Sequence, residues 1–252
     1  MKKLFGLMLV ALCVAFFGCG KKSNALVVAT EATFPPYEFM IGQKFYGIDI
    51  DICQAVADKL GVPLQVENTQ FDTIIANVVS GKAKVGASGI TVTDERKEQV
   101  LFSIPYFRAS QVIVVMNNSK ILTPAMLKGV RIGCQSGTTG YDYVSNNLVK
   151  DKNSQLLQGY ANAALAVEAL KTGKLDAVVI DEGPALAFEK QNKGVIKVLP
   201  VPLTQEEYAI ALNKKDTELC AVFNEVIKDL IDSGKMLEIT KKNKELADSQ
   251  GE

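Results

Sequence analysis

One corner of the chain, Gly86-Ala87-Ser88-Gly89-Ile90-Thr91-Val92-Thr93-Asp94-Glu95-Arg96, gathers free backbone amides, hydroxyls and a guanidinium. A β-run over Ala83–Ser88 ends there, and a helix is expected to begin at Thr93. Thr93 suits an N-cap, Asp94 and Glu95 place negative charge in the first turn, and Arg96 follows at the third helical position. Oriented amides next to a planar cationic fork favour a carboxylate or a phosphate. The alternative is a capped helix whose Arg96 pairs with its acidic neighbours on the surface.

Three further stretches carry complementary chemistry. Gln135-Ser136-Gly137-Thr138-Thr139-Gly140 follows a strand over Val130–Cys134 and precedes a helix expected from Tyr141. It repeats the order of strand, hydroxyl-rich loop and helix start, but no Lys-Ser/Thr pair closes it as in a phosphate loop. Asp181-Glu182 ends the strand Leu175–Ile180 ahead of a helix opened by Pro184. An acidic pair there suits an ammonium, whereas N-capping by Asp181 is the plainer alternative. Thr30-Glu31-Ala32-Thr33-Phe34-Pro35-Pro36-Tyr37-Glu38-Phe39 reads as a loop stiffened by two prolines, with three aromatics and two carboxylates after a buried strand. The set of Arg96, Asp181 and the hydroxyls of Thr91, Thr138 and Thr139 would satisfy a zwitterion.

The elements that must position these loops alternate. Leu26–Thr30 has no polar alternation, as in a buried parallel strand. Ile48, Ile52, Val56 and Leu60 recur at i+4 and predict a helix stopped by Gly61. Leu64–Val66 is a short strand, and Phe71, Ile74, Ile75, Val78 and Val79 mark a helix ended by Gly81. This β-α-β-α-β order predicts a parallel sheet with right-handed crossovers. A second unit follows: a strand over Gln111–Met116, a short helix capped by Thr123-Pro124, a strand at Leu156-Leu157 and a helix over Ala163–Lys171. Strands at Val195–Leu199 and Tyr208–Leu212, an amphipathic helix over Leu219–Ile231, a solvated helix over Lys235–Leu246 and a frayed tail complete the chain.

Composition narrows the class. The 28 basic and 28 acidic residues balance, so no global field attracts nucleic acid. With no histidine, every Ser-His or Cys-His scheme and every His-ligated zinc site is excluded. Lys2-Lys3, the 14-residue apolar run Leu4–Phe17 and Gly18-Cys19 read as a signal peptide, too short to span a bilayer of ~20 helical residues. Gly18-Cys19 resembles a bacterial lipoprotein cleavage site, although Phe16 stands where Leu is usual; Cys19 would be lipidated, with a polar tether to residue 25. Cys53, Cys134 and Cys220 remain, as buried thiols or with one disulfide.

The Thr30–Phe39 stretch, Gly47-Ile48-Asp49-Ile50-Asp51, Gly89–Arg96 and Asp176–Asp181 together resemble the polar amino acid substrate-binding proteins of ABC importers, solute-binding family 3. The resemblance runs from Leu26 to Gly234 with its motifs in order. It implies a two-lobed α/β periplasmic-binding fold of type II, each lobe a mostly parallel sheet flanked by helices, joined by a two-strand hinge. The lobes would comprise residues 26–107 plus 208–252, and 108–207. By resemblance, Arg96, Thr91 and Thr139 hold the α-carboxylate, while Asp181 and the Gly89 carbonyl take the α-ammonium. Phe34 and Phe71 would sandwich the side chain, with Glu31, Ser88, Gln135 and Thr138 setting specificity. A carboxylate at Glu31 leans towards Arg, Lys or His; glutamine or a small neutral amino acid is the alternative. The expected partners are a free amino acid, the importer's permease and the membrane through the lipid anchor, with a monomeric chain, no cofactor and no nucleic acid. The enzymatic alternative is a cyclohexadienyl dehydratase on this fold, using Glu31 or Glu182 as general acid.

Overall fold

The computed structural model describes residues 24–149 and 154–251. The expected signal peptide, Cys19 and residue 252 lie outside them. Two five-stranded sheets organise the chain. In the first, Leu26–Thr30 lies between Leu64–Asn68 and Val85–Gly86, parallel to both. Its Val28, Ala29 and Thr30 are all but inaccessible, which is why the strand lacks polar alternation. The strand Ala211–Asn213 then inserts antiparallel between Val85–Gly86 and Val100–Phe102.

The second sheet runs Leu157–Tyr160, Ile132–Gln135, Ala177–Asp181, Gln111–Met116, Ile196–Leu199. Its first two pairings are parallel and its last two antiparallel, so both sheets join a parallel half to an antiparallel half. Between the sheets the chain forms a two-strand antiparallel ribbon, Phe107–Ala109 against Glu206–Tyr208, with Phe107 opposite Tyr208.

Helix Ile48–Leu60 buries Ile48, Ile52 and Val56 and ends at Gly61, whose φ of 65° is the left-handed conformation a helix stop requires. Helices Ala163–Lys171 and Thr217–Asp232 occupy the ranges their apolar spacing indicates, whereas the helix expected from Phe71 opens as a 3-10 turn, Phe71–Thr73, and turns α-helical over Ile74–Ser80.

Several expectations are corrected. Thr33–Phe34, Glu38–Ile41 and Lys44–Tyr46 form a three-stranded meander where a loop was expected. The expected strand Tyr208–Leu212 is interrupted: the Ala209 N–H donates to the Ile90 carbonyl and the Ile210 N–H to Ser103 Oγ, so neither joins a ladder. The helix expected from Tyr141 starts at Thr139, because Thr138 Oγ1 accepts from the Tyr141 amide at 3.1 Å and caps it. The solvated final helix, Lys235–Asp248, is anchored: buried Asn243 donates through Nδ2 to Asp51 Oδ2 at 2.7 Å. The tail expected to fray forms a 3-10 turn over Ser249–Gly251. Cys53, Cys134 and Cys220 are buried free thiols, so no disulfide joins them.

Candidate ligand-binding site

A cavity lies where the two sheets face each other. All the residues singled out by their chemistry line it. From the first sheet's strand ends come Glu31, Phe34, Phe71, Ser88, Gly89, Thr91 and Arg96. From the second come Gln135, Thr138, Thr139 and Asp181. Each sits at or beyond the C-terminal end of a strand or at a helix start, where a doubly wound sheet leaves its backbone ends open.

Arg96 is fixed by its helix start. Thr93 Oγ1 accepts from the Arg96 amide at 3.2 Å, as an N-cap does. The guanidinium does not pair with Asp94 or Glu95: Nη1 donates to the Thr91 carbonyl at 2.8 Å and Nη2 to the Gly137 carbonyl at 3.0 Å. It also lies 5.5 Å from the centre of the Phe71 ring, on its face, in cation–π range. Burial pulls its pKa below the usual arginine value, and the charges of Asp142, Asp181, Glu206 and Glu95 oppose that.

Asp181 is not a capping side chain. Although it precedes the helix Glu182–Gln191, its side chain caps no amide. Its Oδ1 instead accepts from the Tyr208 hydroxyl. Burial, reinforced by Glu206, pushes its pKa up to about 6 against the hydrogen bonds from Tyr208 and Gln111.

Glu31 is buried, and its Oε1 accepts from the Thr33 hydroxyl at 2.7 Å. Desolvation raises its pKa, opposed by hydrogen bonds with Thr33 and Gln135. Ser88 Oγ accepts from the Glu31 amide at 3.1 Å. Gly89 has φ 52°, and an added Cβ would stand 3.1 Å from the Phe34 ring and 3.3 Å from that of Tyr208. Glycine therefore lets the backbone reach the cavity wall. Thr138 Oγ1 donates to the Gln135 carbonyl at 2.8 Å, closing its loop on the strand end.

Three acidic residues at the site were not assigned to it from the sequence. Glu38 is fully buried, lines the cavity and accepts from the Ser88 hydroxyl at 2.9 Å. Asp49 is fully buried beneath it, accepting from the Gly89 amide at 2.9 Å and the Tyr106 hydroxyl at 2.6 Å. Glu206, in the ribbon, receives the hydroxyls of Thr91 at 2.7 Å and Thr139 at 2.9 Å on the same oxygen. One signal was available: Glu38 stands between Tyr37 and Phe39, and Asp49 between Ile48 and Ile50, acids set in apolar runs. No group of acids and cysteines among the described residues is arranged to hold a metal ion.

Residues 26–244 match the model of the bacterial extracellular solute-binding proteins, family 3. The chain belongs to this family. Its two sheets and connecting ribbon are the two lobes and hinge of that fold. The arginine-binding extracellular protein ArtP of Bacillus subtilis is 29% identical, the alignment covering 94% of this chain and 96% of that protein. The solved arginine-, lysine-, histidine-binding protein ArtJ of Geobacillus stearothermophilus is 35% identical with a TM-score of 0.81, covering 87% of this chain and 94% of that one. An ancestral arginine-binding protein bound to arginine is 39% identical, also at 0.81, covering 86% and 97%. These relatives are solute-binding proteins rather than enzymes.

Proposed function

We propose that this family 3 protein captures a free amino acid with a cationic side chain between its two lobes and delivers it to an ABC importer. The observation that carries the reading is the charge inventory of the cavity: one guanidinium, Arg96, lines it together with the buried carboxyls of Glu31 and Asp181, while burial raises the pKa of Glu38 well above the usual carboxylate range and favours its neutral form. A neutral amino acid brings one positive and one negative charge and leaves that imbalance untouched. A basic amino acid brings a second positive charge and reduces it. The names of the relatives, arginine-binding or arginine-, lysine-, histidine-binding, agree with this reading.

In the bound state Arg96 holds the α-carboxylate as a planar fork, aided by the Thr91 and Thr139 amides and the Thr91 hydroxyl. Asp181 and the Gly89 carbonyl receive the α-ammonium. Phe34 and Phe71 flank the side chain, whose charged end meets Glu31; Ser88, Gln135 and Thr138 shape its surroundings. The lobes are residues 26–107 with 208–252, and residues 108–207. Closure sequesters the ligand by a hinge movement about the ribbon. The N-terminal signal and Cys19 would export the protein and anchor it by lipid on the outer face of the membrane, beside its permease, as a monomer.

The test is a thermal-shift and calorimetric screen of residues 23–252 against all L- and D-amino acids. Arginine, lysine or histidine should stabilise the protein saturably and without turnover, and Arg96→Ala should abolish the effect. Absence of stabilisation by any amino acid, or unchanged binding by Arg96→Ala, overturns the reading. Stabilisation by glutamine or small neutral amino acids alone overturns the cationic assignment and leaves amino acid capture intact.

A further inference from the structure

Two buried acid–tyrosine pairs flank the place assigned to the ligand's ammonium. On one wall Tyr208 donates its hydroxyl to Asp181 Oδ1. On the other, Tyr106 donates its hydroxyl to Asp49 Oδ1 at 2.6 Å, and the Gly89 amide donates to Asp49 Oδ2 at 2.9 Å. The tyrosines stand on the two strands of the ribbon. Tyr106 directly precedes Phe107–Ala109, Tyr208 ends Glu206–Tyr208, and the Tyr106 amide donates to the Tyr208 carbonyl at 3.0 Å. The pairs differ in one respect: Asp181 lines the cavity, whereas Asp49 stands behind the wall and meets it through Gly89.

Asp49 does nothing for its own helix. It lies in the first turn of Ile48–Leu60, yet no side chain caps that helix, and both of its oxygens go to residues 40 and 57 positions away. It is wholly inaccessible to solvent, and no lysine or arginine of the described residues pairs with it. A carboxyl buried without a cation is costly, and bonds from neutral donors offset only part of the cost. What those bonds hold is Gly89, whose φ of 52° is open to it because it has no Cβ. Glycine also explores other conformations readily, so its carbonyl keeps one direction only if its amide is held. Among the described residues, no amide outside the helices and strands donates to that carbonyl.

Resting on the amino acid reading above, we propose that Asp49 is a positioning residue of the ammonium site: it fixes Gly89 so that the glycine carbonyl faces the α-ammonium, and Tyr106 in turn fixes Asp49. The ribbon thereby sets both receivers of the ammonium, Asp181 through Tyr208 and Gly89 through Tyr106 and Asp49.

The discriminating pair is arginine and 5-guanidinopentanoate, the same molecule without its α-ammonium. Competition calorimetry gives both dissociation constants. Wild-type protein should prefer arginine by at least ~100-fold. Asp49→Asn replaces one acceptor oxygen by an NH2 donor; it should weaken arginine and reduce the ratio of the two constants at least ~10-fold. A purely structural role would weaken both ligands alike and leave the ratio unchanged, which overturns the proposal. If Asp49→Asn does not fold, Tyr106→Phe removes a single oxygen and releases the Asp49 carboxyl on its ribbon side. The ratio should then fall at least ~3-fold, and a constant ratio counts against Asp49. If wild-type protein binds glutamine and not arginine, the cationic assignment fails; glutamine and 4-carbamoylbutanoate then form the pair, judged by the same ratios. No binding of any amino acid overturns the capture reading and this inference together.

Discussion

Arg96 shows how one side chain is made ready for an anion. Its fork lies against the Phe71 face and rests on two carbonyls, one from each side of the cleft, and pairs with no carboxylate. A ligand carboxylate would replace a neutral acceptor by a charged one, a gain of about 1–2 kcal/mol per hydrogen bond. Glu31→Gln should weaken a cationic ligand by more than ~1.4 kcal/mol, a tenfold rise in dissociation constant by calorimetry; an unchanged constant would mean the ligand's side chain is neutral. Asp181 adds a pH dependence. Its pKa rises from 3.8 to about 6 on folding, and that of Asp49 does the same, both through desolvation. Between those values the folded chain holds protons that the unfolded chain releases. Stability of the empty protein is therefore greatest below about pH 4 with respect to these groups, and is lost as pH rises through 6, on the order of 3 kcal/mol each. An ammonium ligand favours ionised Asp181, so ligand stabilisation should be larger at pH 7 than at pH 5. Melting curves at both pH values, with and without ligand, check it; an equal ligand-induced shift would remove Asp181 from the ammonium site. The spacing of hydroxyls, Arg96 and Asp181 made this chemistry legible in the sequence. Glu206 was not, because it lies in the polar stretch Thr204–Glu207, where nothing marks one acid as facing inward.

At the scale of elements, glycines report how closely segments approach. Gly47 has φ 137°, and an added Cβ would lie 2.0 Å from the Tyr37 carbonyl oxygen. Gly47→Ala should cost at least ~3 kcal/mol and lower the melting temperature by roughly 5 °C or more. Gly183 makes a different contact. An added Cβ there would stand 2.9 Å from Tyr37 Cε2 and Oη, and the Tyr37 ring is held by Phe107 and Tyr208 at centroid distances of 5.1 and 5.0 Å. Because Gly183 and Tyr37 meet from opposite sides of the cleft, Gly183→Ala should hinder closure. Ligand dissociation is expected to quicken about tenfold while the empty protein's melting temperature changes little; surface plasmon resonance and melting curves check this. The helices were legible from i+4 spacing and from glycine stops such as Gly61 and Gly81, since both signals are local. The meander at Thr33–Tyr46 and the break at Ala209-Ile210 were not. The meander pairs residues close in sequence, such as Thr33 with Phe39 and Ile41 with Lys44, but Pro35-Pro36 read as a stiff loop and masked the pairing; the break depends on distant partners, Ile90 and Ser103.

At the scale of the molecule, the two sheets close on one cavity, and contacts cross it: Arg96 reaches Gly137, while Thr91 and Thr139 share Glu206. The ribbon also has a temporal consequence. The first sheet is incomplete until Ala211–Asn213 enters between Val85–Gly86 and Val100–Phe102, whereas all five strands of the second lie between residues 111 and 199. A chain emerging from its N-terminus can thus finish the inserted sheet first, and the earliest residues must wait for the last quarter of the sequence. Pulse-labelled hydrogen exchange during refolding should find the amides of Ile132–Gln135 and Ala177–Asp181 protected before those of Val100–Phe102; simultaneous protection would mean that the sheets assemble as one cooperative unit. The segment begun first is the one sealed last.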